Sequence, residues 1–203
     1  NDYKQIGTTI DDAVGEAFDK TAKILNLGYP GGPNIEKFSK LGNKDSYILP
    51  QPIINRAGCN LSLAGLKTDV LRKSKNIKSI KEKYNLAASF QETINIILKK
   101  KTEIAMKQFR DEISDKSKKS FVVAGGVAAN ETIRKSLKEV SKKMNFNAIF
   151  PSKEFCGDNA AMIAWAGIKR FKKKLFFKEN QAVRSRWPLD SKAPFLKGPG
   201  LKL

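Results

Sequence analysis

Phe121-Val122-Val123-Ala124-Gly125-Gly126-Val127-Ala128-Ala129-Asn130 is the stretch on which the reading of the fold turns. Its first four residues, entered from Lys118 and Lys119, have the pattern of a buried strand, and the diglycine breaks that pattern. Asn130 to Met144 continues at helical spacing, Ala148 to Phe150 reads as a second strand, and Asp158 to Phe171 as an alanine-rich helix. Strand, Gly-Gly bend, helix, strand, loop and helix is the order of an α/β nucleotide-binding unit. Two glycines let backbone N–H groups approach a ligand, and a helix start favours anionic or polar groups. Asn130 offers a donor and an acceptor together, which suits an adenine edge. A bare Gly-Gly turn also serves ordinary connections, so the pointer to a nucleotide is its placement between strand and helix.

Upstream of that unit the pattern is helical. Leu86 to Ile113 is the longest such stretch, with Phe90, Ile94, Ile97, Ile104 and Phe109 forming an apolar stripe. Before it, Leu61 to Leu71 is an apolar, glycine-broken element running into the basic segment Arg72 to Lys83, and Gly42 to Asn60 is irregular. Tyr29-Pro30-Gly31-Gly32-Pro33 predicts a tight turn, followed by a short helix over Asn34 to Leu41. Asp11 to Asn26 predicts a helix, with Val14, Phe18, Ala22 and Leu25 on one face and Gly28 ending it. Tyr3 to Ile10 alternates like a short strand but has nothing before it to pair with. No internal repeat is visible, and the tail from Asp190 is basic without a clear element.

Carboxylates mark two places. On a helix Asp12, Glu16 and Asp19 fall at i, i+4 and i+7, so the three acids share a face with only Lys20 and Lys23 nearby. The plain reading is favourable interaction with the helix N-terminus plus a solvated face. The functional one is a metal, a ribose or a partner's cations meeting the acids. Gly15 inside the same helix costs about 1 kcal/mol against alanine, which points to a close approach of something to the backbone. Asp158, in Glu154-Phe155-Cys156-Gly157-Asp158-Asn159, is either the N-cap of the following helix or a hard oxygen ligand for a metal.

Composition excludes several classes. The chain of 203 residues contains no histidine, which removes Ser–His and Cys–His nucleophile pairs and imidazole zinc sites. Cys59 and Cys156 lack CxxC spacing, which favours two reduced thiols over a bridge. No apolar run approaches the roughly 18 residues of a spanning helix, and Asn1 to Ile10 is no signal peptide, so a cytoplasmic protein with no membrane partner is expected. The 39 basic against 20 acidic residues give a net charge of +19, a field that attracts polyanions and equally keeps a lysine-rich surface soluble.

Taken in order, Thr9 to Lys20 with Tyr29-Pro30-Gly31-Gly32-Pro33, Ser62-Leu63-Ala64-Gly65-Leu66-Lys67-Thr68, Ala124 to Asn130, Cys156 to Ala164, and Arg186-Trp187-Pro188-Leu189 resemble the tRNA N6-adenosine threonylcarbamoyltransferase family (TsaD type) from about Tyr3 to Leu189. The resemblance implies an α/β fold of the actin-like ATPase (ASKHA, ribonuclease-H-like) superfamily. This chain would be the C-terminal lobe with a helical insertion, and the N-terminal lobe would be absent. Residues 1–32 would start that lobe, 33–118 form a mostly helical insertion, 119–190 the nucleotide-binding part and 191–203 a basic tail. It implies transfer of a threonylcarbamoyl group from threonylcarbamoyl-AMP to N6 of adenosine 37 in tRNAs reading codons that begin with A. Substrate-binding positions carried over are Asp19, Gly32, Glu36 and Asn130, with Asp158 as a ligand of one divalent ion, iron or zinc, and partner proteins of a transfer complex. No catalytic side chain is assigned. The family's two histidine ligands and its Ser-Gly-Gly loop belong to segments before Tyr3, so a partial chain, inactive alone, is expected. Ala64 and Gly157 depart from the family's usual Ser and Thr. The alternatives are a non-catalytic nucleotide- or tRNA-binding relative, or a fragment of an actin-like ATPase or kinase, for which no kinase-type phosphate loop is found.

Overall fold

The structure is a computed structural model that describes residues 3–113, 119–176, 189–190 and 192–193. Its elements are α1 (Val14–Ile24), α2 (Gly31–Ser39), α3 (Ala64–Ser74), α4 (Ile80–Glu112), β1 (Ser120–Val122), α5 (Glu131–Lys143), β2 (Asn147–Ile149) and α6 (Ala160–Lys172). Single 3₁₀ turns lie at Gly126–Ala129 and Lys153–Phe155.

The 33-residue α4 organises the molecule. Its start is a capping box: the Ser79 hydroxyl accepts from the Glu82 N–H, and the Glu82 carboxylate accepts from the N–H groups of Lys78 and Ser79. Leu86, Ala87, Phe90, Ile94 and Ile97 are buried along its inner face. Against them lie Phe18 and Ala22 of α1 and Leu25 just past its end, Ile35 of α2, Leu66 and Val70 of α3, and Ile133 and Leu137 of α5. Phe18 meets Phe90 edge to face with ring centres 5.2 Å apart. Burying each of these large side chains stabilises the fold by about 2–3 kcal/mol, so this one cluster fixes how the helices sit.

β1 and β2 pair in parallel through Ser120–Asn147, Phe121–Ala148 and Val122–Ile149, with α5 as the crossover, so the β–α–β unit expected from sequence is present. The strands are less buried than the run Phe121 to Ala124 predicts. Only Phe121 and Ala148 turn inward, while Val122 and Ile149 are exposed. The chain is thus mixed α/β, rich in helix, with a small parallel sheet. No described helix is long and apolar enough to cross a membrane.

Three local expectations need correction. Tyr3 to Ile10 is not a strand: it makes one parallel bridge, Thr9 with Leu61, closed by Ile10 N–H to Leu61 O at 2.9 Å and Leu61 N–H to Thr8 O at 2.8 Å. The pairing stops there because the chain after Leu61 turns at once into α3. Asp11 accepts from the N–H groups of Leu63 and Ala64 and from the Ser62 hydroxyl. The tight turn at Tyr29 to Pro33 is shorter than expected, since Gly31, Gly32 and Pro33 already form the first turn of α2. Proline is tolerated there because a first-turn N–H has no intrahelical partner. Finally, the cap of α6 is Asn159, whose side chain accepts from the Met162 N–H at 3.0 Å, so Asp158 is not the cap. Arg186, Trp187 and Pro188 lie outside the described residues, as does most of the basic tail.

Candidate functional site

A cavity of about 380 Å³ opens where α1, α2 and the Gly126–Ala129 turn meet. From α1 it takes Gly15, Phe18 and Asp19; from the start of α2, Pro30, Gly32, Pro33 and Glu36; from the diglycine bend, Gly126, Val127, Ala129 and Asn130. The acidic helix and the proline-glycine turn that follows it therefore face one space with the diglycine bend, which lies far along the chain. Asp19, Gly32, Glu36 and Asn130 all line it; Asp158 does not.

The α1–α2 junction is set by one glycine. Gly31 donates its N–H to the Asp19 carboxylate at 2.8 Å, and a Cβ built on Gly31 would overlap the Asp19 Cα. No larger residue fits without parting the helices. The second Asp19 oxygen makes no hydrogen bond among the described residues. A Cβ on Gly32 or Gly126 meets nothing within 4 Å, so protein packing does not demand glycine there and the backbone lies open beside the cavity. Gly125, which precedes the turn, needs its glycine for another reason: its φ is +89°.

The polar groups are more committed than the sequence indicates. Glu36 accepts from the Glu131 N–H at 2.8 Å, and Asn130 accepts from the Ile133 N–H at 3.1 Å. Two of the first N–H groups of α5 are therefore satisfied by the protein itself and are not offered to a phosphate, contrary to the expectation for this helix start. The Asn130 amide nitrogen donates to Gln91 of α4 at 2.9 Å, so its side chain is not a free amide with both edges available. Gln91 lies among the apolar residues of the buried face of α4, beside Ala87, Phe90 and Ile94. A polar residue at a core position is the signal that could have singled it out.

The acidic face of α1 is also partly neutralised within the chain. Lys67, on α3, reaches Asp12 at 2.7 Å, Lys20 reaches Asp12 at 2.7 Å, and Lys20 pairs with Glu16 at 2.6 Å. Burial pushes the Asp12 pKa up, but the hydrogen bonds from Lys20 and Lys67 outweigh it and hold the carboxyl below the ordinary carboxylate value. Asp19 stands apart from this network and faces the cavity.

Arg134 joins the Ala124–Asn130 stretch to the stretch that begins at Cys156. Its guanidinium donates to the Ala128 carbonyl, to the Pro151 carbonyl at 2.6 Å and to the buried Cys156 sulfur at 3.1 Å, and lies over the Phe150 ring. Asp158, two residues on, is exposed. Among the described residues no cluster of three or more acids or thiols could hold a metal. Asp158 alone offers one side chain, so the described part of this chain does not by itself make a metal site.

Apolar walls from Phe18, Pro30, Pro33, Val127 and Ala129, with two carboxylates and one amide, have the chemistry to accept a flat ring and hydroxyl groups. Carboxylates accept from ribose hydroxyls and repel phosphate, so the charged end of a nucleotide would point away from Asp19 and Glu36.

The family model described as TsaD, tRNA N6-adenosine threonylcarbamoyltransferase, matches residues 1–165. Among curated relatives of that name, the one from Pelagibacter ubique (strain HTCC1062) is 56% identical over 201 residues, covering 99% of this chain and 56% of the relative. That of Rickettsia rickettsii (strain Sheila Smith) is 48% identical over 190 residues, 93% of this chain and 55% of the relative. That of Rhizobium meliloti (strain 1021) is 43% identical over 202 residues, 98% and 56%. The chain spans about half the length of the curated relatives it matches. On the extent of these matches, the chain belongs to the TsaD family of tRNA N6-adenosine threonylcarbamoyltransferases.

Proposed function

We propose that this chain supplies the adenylate-holding side of an enzyme that moves a threonylcarbamoyl group from threonylcarbamoyl-AMP to N6 of adenosine 37 in tRNAs reading codons that begin with A. The observation that carries the reading is the convergence of Asp19, Gly32, Glu36 and Asn130 on one cavity of nucleoside size. In the reaction the adenosine N6 attacks the carbamoyl carbon, the bond from that carbon to the phosphate oxygen breaks, AMP leaves, and the amine gives up one proton. The residues of this chain contribute binding and orientation. Asp19 and Glu36 accept from ribose hydroxyls, Phe18 and the two prolines exclude water from the ring, and open backbone at Gly32 and Gly126 admits close approach. Holding the leaving group in line accounts for much of the acceleration when the nucleophile is a weak amine.

The finer architecture belongs to the same proposal: a C-terminal actin-like lobe in which 33–118 is a helical insertion and 119–190 the nucleotide-binding part. Asp158 would be one donor to a divalent ion, iron or zinc, completed from elsewhere in the protein; no step is assigned to it. The net charge of +19 suits a tRNA partner, and partner proteins and a cytoplasmic site of action follow the family.

The test is Asp19→Asn in the intact protein. It should weaken AMP binding measured by calorimetry about tenfold and lower threonylcarbamoyladenosine in tRNA, read by nucleoside mass spectrometry. Wild-type AMP affinity in that variant would remove the adenylate from this cavity.

A further inference from the structure

Asn130 is tied into a hydrogen-bond chain whose direction is fixed at both ends. At one end the Ile133 N–H can only donate, so the atom it meets on Asn130 is the oxygen. The amide nitrogen therefore faces Gln91 and donates to its Oε1 at 2.9 Å. Gln91 Nε2 must then donate, and it does so to the hydroxyls of Ser39 at 3.0 Å and Thr132 at 3.2 Å. The Ser39 hydroxyl in turn donates to the Glu36 carbonyl at 2.9 Å, an atom that can only accept. A donor-only group at one end and an acceptor-only group at the other leave no freedom for either amide to flip.

This hydrogen-bond chain crosses from the start of α5 through α4 to α2, and two of its members, Asn130 and Glu36, are residues of the cavity wall. Gln91 and Ser39 are buried at 5% and 8% exposure and do not line the cavity. An unanchored asparagine can present either its oxygen or its nitrogen to a ligand. Here Oδ1 already serves as the helix cap, and Gln91 occupies one of the two N–H groups. The amide is held in one orientation, and its remaining N–H has no partner among the described residues.

We infer that Gln91 is a positioning residue for the proposed adenylate site: it sets the orientation of the Asn130 amide and, through Ser39, links that amide to the α2 segment carrying Glu36. This rests on the adenylate reading given above. The ligand atom facing Asn130 is then an acceptor, such as a ribose oxygen or a ring nitrogen.

The experiment is a double-mutant cycle on AMP binding in the intact protein, with Asn130→Ala, Gln91→Met (similar in length and shape) and the pair, each checked by thermal melting without ligand. Asn130→Ala should weaken AMP roughly tenfold and Gln91→Met severalfold, while adding Gln91→Met to Asn130→Ala should cost nothing further. Equal losses from Gln91→Met in both backgrounds would overturn the positioning role and leave the adenylate site standing. No loss from Asn130→Ala would overturn both. If Gln91→Met does not fold, Gln91→Glu enters the same cycle, and an effect on AMP that persists without Asn130 has the same overturning force.

Discussion

The two ends of the described chain treat their apolar residues in opposite ways. Across α1 to α4 the inward-facing large side chains are enclosed: Phe90, Leu25, Ile35, Leu66 and Ile94 are all at most 2% exposed. In α6 none is buried, and Met162, Ile163, Trp165, Ile168 and Phe171 stand exposed along thirteen residues. Both segments are amphipathic by composition, so hydrophobic content alone does not decide which helix is a core helix. What decides it is whether another element of the chain lies opposite. α4 has α1, α2, α3 and α5 around it, whereas α6 has no comparable packing among the described residues. The cavity sits on the enclosed side, where its walls are held by a packed core.

Breaking the enclosed side should give the largest effect. Phe90→Ala should cost this chain roughly 3–5 kcal/mol in urea unfolding, because it removes a side chain sealed against Phe18. A loss below ~1 kcal/mol would mean that the α4 face is not the core. Gly31→Ala comes next. Its new methyl must displace the Asp19 backbone, at a cost of about 1–3 kcal/mol, and AMP binding to the intact protein should disappear even where the fold survives. Unchanged AMP affinity in the Gly31→Ala protein would separate the α1–α2 junction from the site.

Asp12→Asn tests the charge network at the edge of the core. Because the folded pKa of Asp12 is depressed, its pairing with Lys20 and Lys67 contributes stability above the ordinary carboxylate value near 3.8 and loses that contribution as pH falls through the folded pKa. The variant should be less stable than wild type at neutral pH, and the gap should close in strong acid, below the folded pKa, in melting experiments. A gap that does not change with pH would make the network incidental. Smallest of all, Trp165→Ala on α6 should leave the stability of this chain within about 0.5 kcal/mol, since that ring rests mainly against the Lys169 ammonium. A clear drop would show that the face is covered.

The same contrast explains what can be read from the sequence. The helices are legible because their periodicity belongs to each segment by itself: the stripes of α1 and α4 need no knowledge of neighbours. Tyr3 to Ile10 misleads because a strand exists only by its partner, and here the partner is the single residue Leu61. The diglycine bend and the proline-glycine turn announce themselves as places of unusual backbone. That they face each other across one cavity follows from the family resemblance and not from spacing. What stays hidden are contacts between segments far apart along the chain: Lys67 with Asp12, Glu36 with the Glu131 N–H, and Gln91 with Asn130. Nothing local marks a glutamate in α2 as the partner of a backbone group 95 positions later.

That glutamate has a consequence for the ions in solution. A helix start commonly attracts sulfate or phosphate from the medium, yet in α5 a carboxylate of the protein is already seated there. Free inorganic anions should therefore compete poorly at this end of the cavity. Under the proposed reading, a nucleotide entering it would be sorted by polarity, sugar inward and charge outward, before any reacting group came into line.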